Sequence, residues 1–366
     1  MPFNGWWRNP ITAVFTVKGC AYECVTCGSS KTTCTHLTKR SKPAFRSPKS
    51  LAANVVALSR ITRAPIFFVG DPLMAGTDYA NEMLSALHEA HIPNELGFEF
   101  FDLPPLEFLR RIDASIDHWS MEISPESHDH EVRRAQEGEP EYDNAQLEGV
   151  LSEALRLRCS RVDVFFMIGL PRQTYQSVQD TVSYCEHLFG ISDRRLSCFI
   201  TPMGPFVDPG SRVFENPEIF GYRLFAHSLE EHRQLLLQPS WEGILNYETR
   251  WMSRTELVDA TYDGAERLNE LKLKYGRVTR WRGEQVAGRI RAARELRRRL
   301  AESQQRGEEL METDLKGDIS RFSESTVCDK RELFWPRHLV SFKLSEILRI
   351  GLRYFTHGGH AASSAV

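Results

Sequence analysis

Through the N-terminal half of the chain, short apolar runs alternate with longer stretches in which apolar residues recur every three or four positions. The runs are "TAVFTV" from Thr12, "PIFFVGD" from Pro65, "GFEFFD" from Gly97, "HWSMEIS" from His118, "VDVFFMIGLP" from Val162 and "LSCFIT" from Leu196. Continuous apolar runs of this length, closed by Gly, Asp or Pro, predict buried strands. Between them the helical period predicts five helices. One opens at Ser47-Pro48 and runs to about Arg63 with Leu51, Val55, Leu58 and Ile61 on one face; one is capped at Thr77-Asp78 and carries Met83, Leu84 and Leu87. The others are Pro105–Ile112, Asn144–Leu157 with Leu147, Val150, Leu151 and Leu155 inward, and Thr174–Phe189 with Val178, Val182 and Cys185 on one face. Residues 35–50 are polar and basic and read as a loop.

Strands alternating with helices imply an α/β fold with a parallel sheet and helices outside. Six such units curl into an open, partial (β/α)6 TIM-like barrel, and in parallel barrels the chemistry sits at the C-terminal strand ends. The expected organisation is a barrel over 1–215, a helical extension over 216–300 that covers it, a polar linker over 301–331, and an amphipathic helix with a disordered tail over 332–366. Within the extension, Tyr222–Leu237 and Glu256–Leu273 read as the clearest helices.

Composition narrows the class. With 41% hydrophobic and 26% charged residues the chain is an ordinary globular one, and a net charge of −3 does not suit a whole molecule built to grip nucleic acid. The start "MPFNGWWRNP" lacks the layout of a secretion signal, and no uncharged apolar run approaches the ~18 residues of a membrane span. A cytoplasmic location is therefore expected, with thiols reduced. Cys159, Cys185, Cys198 and Cys328 are scattered and read as small buried residues.

The remaining cysteines carry the chemistry. "KGCAYECVTCG", directly after the first strand, spaces Cys20, Cys24 and Cys27 as Cys-x3-Cys-x2-Cys. A structural zinc site wants four ligands, usually in two pairs. Three thiolates on a four-iron cubane leave one iron open, which is a place for chemistry. A zinc site of these three with Cys34 or His36 is the competing reading.

This spacing, with six β/α units around it, resembles the radical S-adenosylmethionine (radical SAM) enzymes over about residues 10–215. The resemblance implies a 4Fe-4S cluster on Cys20, Cys24 and Cys27, and S-adenosylmethionine chelated by the open iron through its amino and carboxylate groups. One electron from the cluster then cleaves the sulfonium, and the deoxyadenosyl radical takes hydrogen from a substrate. The electron comes from an external donor of flavodoxin or ferredoxin type. By the same resemblance Gly70 and Asp71 meet the methionine amino group, Glu126 and Ser127 the ribose, Arg133 or Arg134 the methionine carboxylate, and Gly169 and Pro171 the adenine side. The family usually has an aromatic residue just before its last cysteine; Thr26 stands there, so Tyr22 or backbone groups are expected to contact the adenine.

The stretches "TVKGCAYECVTCGSS", "EISPESHDHEVRRA", "FFMIGLPRQT" and "PMGPFVDPGS" are most similar to the branch that carries an N-terminal cobalamin-binding domain. The cysteine loop starts at residue 20, with no room upstream for that domain, and no Asp-x-His-x-x-Gly loop occurs. Either the cobalamin module is a separate binding protein, or it was lost, or this chain is a fragment, so cobalamin is not expected as a cofactor of this chain. Glu99, Asp208, Tyr247, Glu248 and Arg250 are the substrate candidates, the last three in a mixed aromatic and charged stretch suited to a wall over the barrel. From Arg277 to Arg299 nine arginines face two glutamates. A grip on RNA is one reading; Ile290, Ala293, Leu296 and Leu300 at helical spacing favour a packed helix with a solvated basic face.

Overall fold

The computed structural model describes residues 12–138 and 141–306, with 326–329, 332, 343, 345, 348, 349 and 352. Six strands form one sheet: β1 (Thr12–Phe15), β2 (Ile66–Val69), β3 (Leu96–Phe100), β4 (Trp119–Glu126), β5 (Val162–Ile168) and β6 (Leu196–Pro202). All neighbours are parallel, and the order across the sheet is the order along the chain. Right-handed crossovers in such an order put every connecting helix on one face. The fold is thus the α/β partial barrel expected from the sequence.

The helices of eight residues or more, in chain order among the described residues, are α1 (Lys31–Thr38), α2 (Pro48–Ile61), α3 (Thr77–Glu89), α4 (Leu106–Ser115), α5 (Asn144–Arg156), α6 (Tyr175–Gly190), α7 (Arg254–Lys274) and α8 (Arg280–Arg306). Their starts are encoded locally. Ser47 caps α2 with Pro48 in its first turn, and reciprocal capping boxes open α5 (Asp143 with Gln146), α6 (Thr174 with Ser177) and α7 (Ser253 with Glu256). Outward strand residues such as Phe68, Phe98, Ile123 and Val164 share one core with Leu51, Leu84, Leu109, Leu147 and Val178 from the helices.

The inner face is different. Glu99, Glu122 and Asp163 lie side by side in register on β3, β4 and β5. Arg161 Nε donates to both Asp163 oxygens at 2.9 and 2.7 Å. Burial, with Glu99 and Asp163 adding repulsion, pushes the Glu122 carboxyl up to about 8. At the N-terminal strand ends lies the described part of the C-terminal segment. Lys272 Nζ donates to Glu332 Oε2 at 2.8 Å, both buried, and Lys343 reaches the Ile61 and Ser59 carbonyls beside the start of β2.

Four expectations need correcting. Residues 31–38, placed partly in a loop, are helix α1; Ser30 caps it and Lys39, at φ 57°, ends it, so caps rather than an apolar stripe define it. Tyr222–Leu237 is not one helix: Tyr222–Leu224 is a strand (β7) paired antiparallel with Tyr247–Thr249 (β8), and only Leu229–Leu235 is helical. Helix α8 runs through Arg306, into the stretch expected as linker, and residues 307–325 and most of 332–366 lie outside the described residues. The basic face of α8 is largely spent within the protein. Arg289 pairs with Asp329, Arg294 with Asp263 and Glu266, Arg297 with Glu242 and Asp259, and Arg298 with Glu295 and Glu302.

A pH dependence follows from the inner row. Glu122 holds its proton more tightly folded, at about 8, than its ordinary 4.5 allows. The stability it contributes is present in full below the ordinary value and is lost as pH climbs toward 8. Melting curves should show the wild type losing more Tm between those limits than Glu122→Gln; parallel losses would contradict this.

Candidate functional site

The cysteine loop is a tongue with a clamped neck. Val17–Lys18 pairs antiparallel with Ala44–Phe45, so the chain leaves β1 and returns at one place. Thr16 fixes the root: its N–H donates to the Val69 carbonyl at 3.0 Å and its hydroxyl to the Gly70 carbonyl at 2.9 Å. Gly70 is at φ 98°, and a Cβ there would lie 2.6 Å from Val17, so only glycine fits.

Three contacts tie the tongue to the far side of the barrel. Gly28 N–H donates to Asp208 Oδ2 (2.9 Å), the Thr33 hydroxyl to the Gly210 carbonyl (2.9 Å), and Val213 N–H to the Val25 carbonyl (3.0 Å). Loops after the first and last strands therefore meet, which shows the curl of the open sheet directly. Gln136, fully buried, supports the tongue from below. Its carbonyl accepts from Val25 N–H (2.9 Å), its Oε1 from the Thr26 hydroxyl (3.1 Å), and its Nε2 donates to Glu126 Oε2 (2.6 Å).

Cys20, Cys24 and Cys27 line one cavity of about 270 Å3 at the C-terminal mouth, with Tyr22, Phe101, Ser124, Glu126, Met167, Met203, Phe206 and Asp208. Backbone N–H groups already point at the sulfurs: Tyr22 N–H at Cys20 Sγ (3.4 Å) and Ser29 N–H at Cys27 Sγ (3.3 Å). Burial raises the Cys20 thiol and pushes Cys27 up to about 11. Any metal group must therefore displace protons as it loads. Among the described residues no three His, Cys, Asp or Glu side chains group as ligands of a single ion. Cys34 Sγ turns to the Ser29 carbonyl (3.4 Å) on α1, His36 is exposed, and neither lines the cavity. The donor set fits a three-thiolate cluster.

The other expected residues divide. Tyr22, Glu126 and Asp208 line the cavity with the cysteines. Glu126 is aimed there by a register shift between Ile123 and Glu126, where its φ is 59°. Asp71 is buried and accepts from Leu73 N–H (2.8 Å) and Phe101 N–H (3.1 Å). Its carboxylate is a backbone staple between the ends of β2 and β3, with burial pushing it up to about 6. Glu99 Oε2 accepts from Gly70 N–H (2.5 Å). Ser127 Oγ accepts from Asp129 N–H (3.1 Å) in the turn beyond β4. Gly169 is engaged on both backbone groups, by Gln173 Oε1 (2.7 Å) and the Tyr222 hydroxyl (2.6 Å).

Arg134 does not reach the cavity. It is exposed beside Glu141 (3.4 Å) and, with Pro171 and Arg250, lines a separate outer groove of about 470 Å3. Arg133 is buried elsewhere, donating to the Tyr142 carbonyl (2.9 Å). Tyr247 is buried beneath Gly169, and Glu248 pairs with Arg223 (3.2 Å). The expected substrate wall at 247–250 is therefore a hairpin, with Tyr247 turned into the core and its charged residues turned outward. Gln136, Phe101, Met167, Met203 and Phe206 were not foreseen. Of these, Phe101 and Met167 carried a sequence signal, their places at the C-terminal ends of strand runs, and Met203 and Phe206 lie in the quoted stretch after the last strand.

Neither a protein-family model nor a curated protein matches the chain. Among solved structures it is similar to a radical S-adenosylmethionine methyltransferase, TsrM from Kitasatospora setae, with cobalamin and a 4Fe-4S cluster bound. That likeness has 13% identity and a TM-score of 0.46, over 60% of this chain and 43% of that one. It is also similar to coproporphyrinogen III oxidase (HemN) from Escherichia coli, a radical SAM enzyme, at 13% identity and a TM-score of 0.41 over 67% and 62% of the two chains. A third is the FeFe-hydrogenase maturase HydG from Carboxydothermus hydrogenoformans, at 13% and 0.41 over 54% and 45%. The chain spans less than half the length of TsrM (43%). Alignments this distant assign no role to any residue here.

The Gly28–Asp208 contact is exposed, so it is worth about 1 kcal/mol. Asp208→Ala should therefore speed alkylation of Cys27 in metal-free protein about fivefold, read by mass spectrometry of the labelled peptide. Unchanged labelling would show that the loop does not open at this seam.

Proposed function

We propose that the chain is a radical SAM enzyme acting on a substrate not yet identified. One observation carries this reading: three cysteines of the loop after the first strand line a single cavity at the mouth of an open six-stranded parallel barrel. Cys20, Cys24 and Cys27 would hold a 4Fe-4S cluster. When bound, the cluster supplies the electron that cleaves adenosylmethionine and so begins hydrogen abstraction from the substrate.

The chain's own residues do the rest. N–H groups of Tyr22 and Ser29 stabilise thiolate charge on Cys20 and Cys27. Tyr22 and Phe101, edge to face at 6.3 Å, give the cavity an aromatic wall suited to an adenine in place of the aromatic residue replaced by Thr26. Glu126, oriented by Gln136, is the carboxylate for ribose hydroxyls. Asp71, whose two carboxylate oxygens each accept one N–H and keep acceptor capacity to spare, is the acceptor for the methionine amino group at the end of β2. Met167, Met203, Phe206 and Val207 exclude water from the reacting face. A flavodoxin- or ferredoxin-type donor would supply the electron, and a separate cobalamin protein would serve if the outcome is methyl transfer.

The test is anaerobic reconstitution with iron and sulfide, reduction, and addition of adenosylmethionine. Wild type and Cys34→Ala should bind iron and sulfide equally and release 5′-deoxyadenosine, measured by chromatography. Cys24→Ala should release none. A tightly bound zinc lost with Cys34 would overturn the reading.

A further inference from the structure

Beside the cysteine cavity lies a second one, of about 610 Å3, lined by Phe206, Pro209, Phe214, Leu229, His232 and Leu236 among others. Phe206 lines both. Two of its lining residues leave large apolar side chains in water: Leu229 is 88% exposed and Leu236 51%. A contiguous apolar patch of this kind marks a binding surface.

The partition between the cavities is built. Asn246, fully buried, accepts from Val207 N–H (2.9 Å) through Oδ1 and donates its own N–H to the Pro205 carbonyl (2.7 Å), which fixes the backbone on both sides of Phe206. Its Nδ2 donates to His232 Nε2 (3.0 Å), while His232 Nδ1 donates to the Ser228 carbonyl (2.8 Å). The Phe206 ring stands edge-on to the His232 ring at 4.7 Å. The charge of Arg233 is taken by Glu230 at 2.7 Å. The result is a mostly apolar wall with the Arg233–Glu230 ion pair at its solvent side and one aromatic side chain shared with the cavity of the thiols.

We propose that this vestibule binds an apolar chain of the substrate, alkyl or prenyl in character, and delivers the reacting end past Phe206 into the cysteine cavity. The assignment rests on that cavity being the reaction centre. The described ends of this chain are poor occupants. Thr12 begins β1, and Glu332 and Lys343 sit at the N-terminal strand ends, the face opposite the vestibule.

The experiment uses the full chain without metal and a series of 1-alkanols from hexanol to decanol, titrated calorimetrically. Each added methylene should tighten binding about fourfold. The Leu229→Glu, Leu236→Glu double variant, altered only at exposed positions and checked for an unchanged Tm, should lose that dependence. Bound decanol should also slow alkylation of Cys27 in the wild type and not in the variant. No dependence on chain length, or equal binding by the variant, would overturn the proposal. Binding that leaves Cys27 labelling unchanged would also overturn it, because the surface would then be a docking face for a protein partner. None of these readouts needs the cluster, so their failure leaves the radical reading standing, and a failure to form deoxyadenosine leaves them interpretable.

Discussion

An incomplete barrel has two free edges, and the loops beyond them have no sheet to hold them together. Here they are joined at the mouth by three hydrogen bonds, from Gly28 to Asp208, Thr33 to Gly210 and Val213 to Val25. A Cβ at Gly28 would stand 2.7 Å from that of Asp208, so the approach is as close as glycine permits. The seam brings the cysteine tongue over the strand ends and lets Phe206 and Asp208 share a cavity with Cys20, Cys24 and Cys27. Without it the thiols would face solvent on a loose loop, and the aromatic partition would have nothing to divide.

The inside of the barrel is held polar at a cost. The outward face of the sheet buries Phe, Ile and Val against the helices, while the inward face sets Glu99, Glu122 and Asp163 in one row. Asp163 is paired with Arg161, and Glu99 accepts from the Gly70 N–H while burial raises its carboxyl. Burial keeps the third protonated around neutrality. At the other end Lys272 and Glu332 form a buried ion pair.

The strands and their helices were legible because burial on both faces writes a continuous apolar run and burial on one writes a helical period. The three cysteines were legible because spacing alone limits what thiolates can hold. What was not legible depends on partners distant in sequence. Asp71 reads as a ligand at a strand end, but not as the staple that two nearby N–H groups make of it. Arg134 reads as a carboxylate clamp, yet it points to an outer groove beside Glu141. Helix α1 has no apolar stripe and is fixed by its caps; the Tyr222–Leu224 strand exists only because Tyr247–Thr249 lies beside it. Gln136, which couples the tongue to Glu126, follows an arginine pair in the loop region and carried no signal in the sequence.

The central claim is that three thiolates hold four irons and leave one open to adenosylmethionine. Mössbauer spectroscopy of protein reconstituted with isotopically enriched iron, recorded before and after adding adenosylmethionine, tests it most directly. The account predicts one iron site distinct from the other three, and a shift of that site alone when adenosylmethionine binds. Irons that all respond alike, or none that respond, would contradict it.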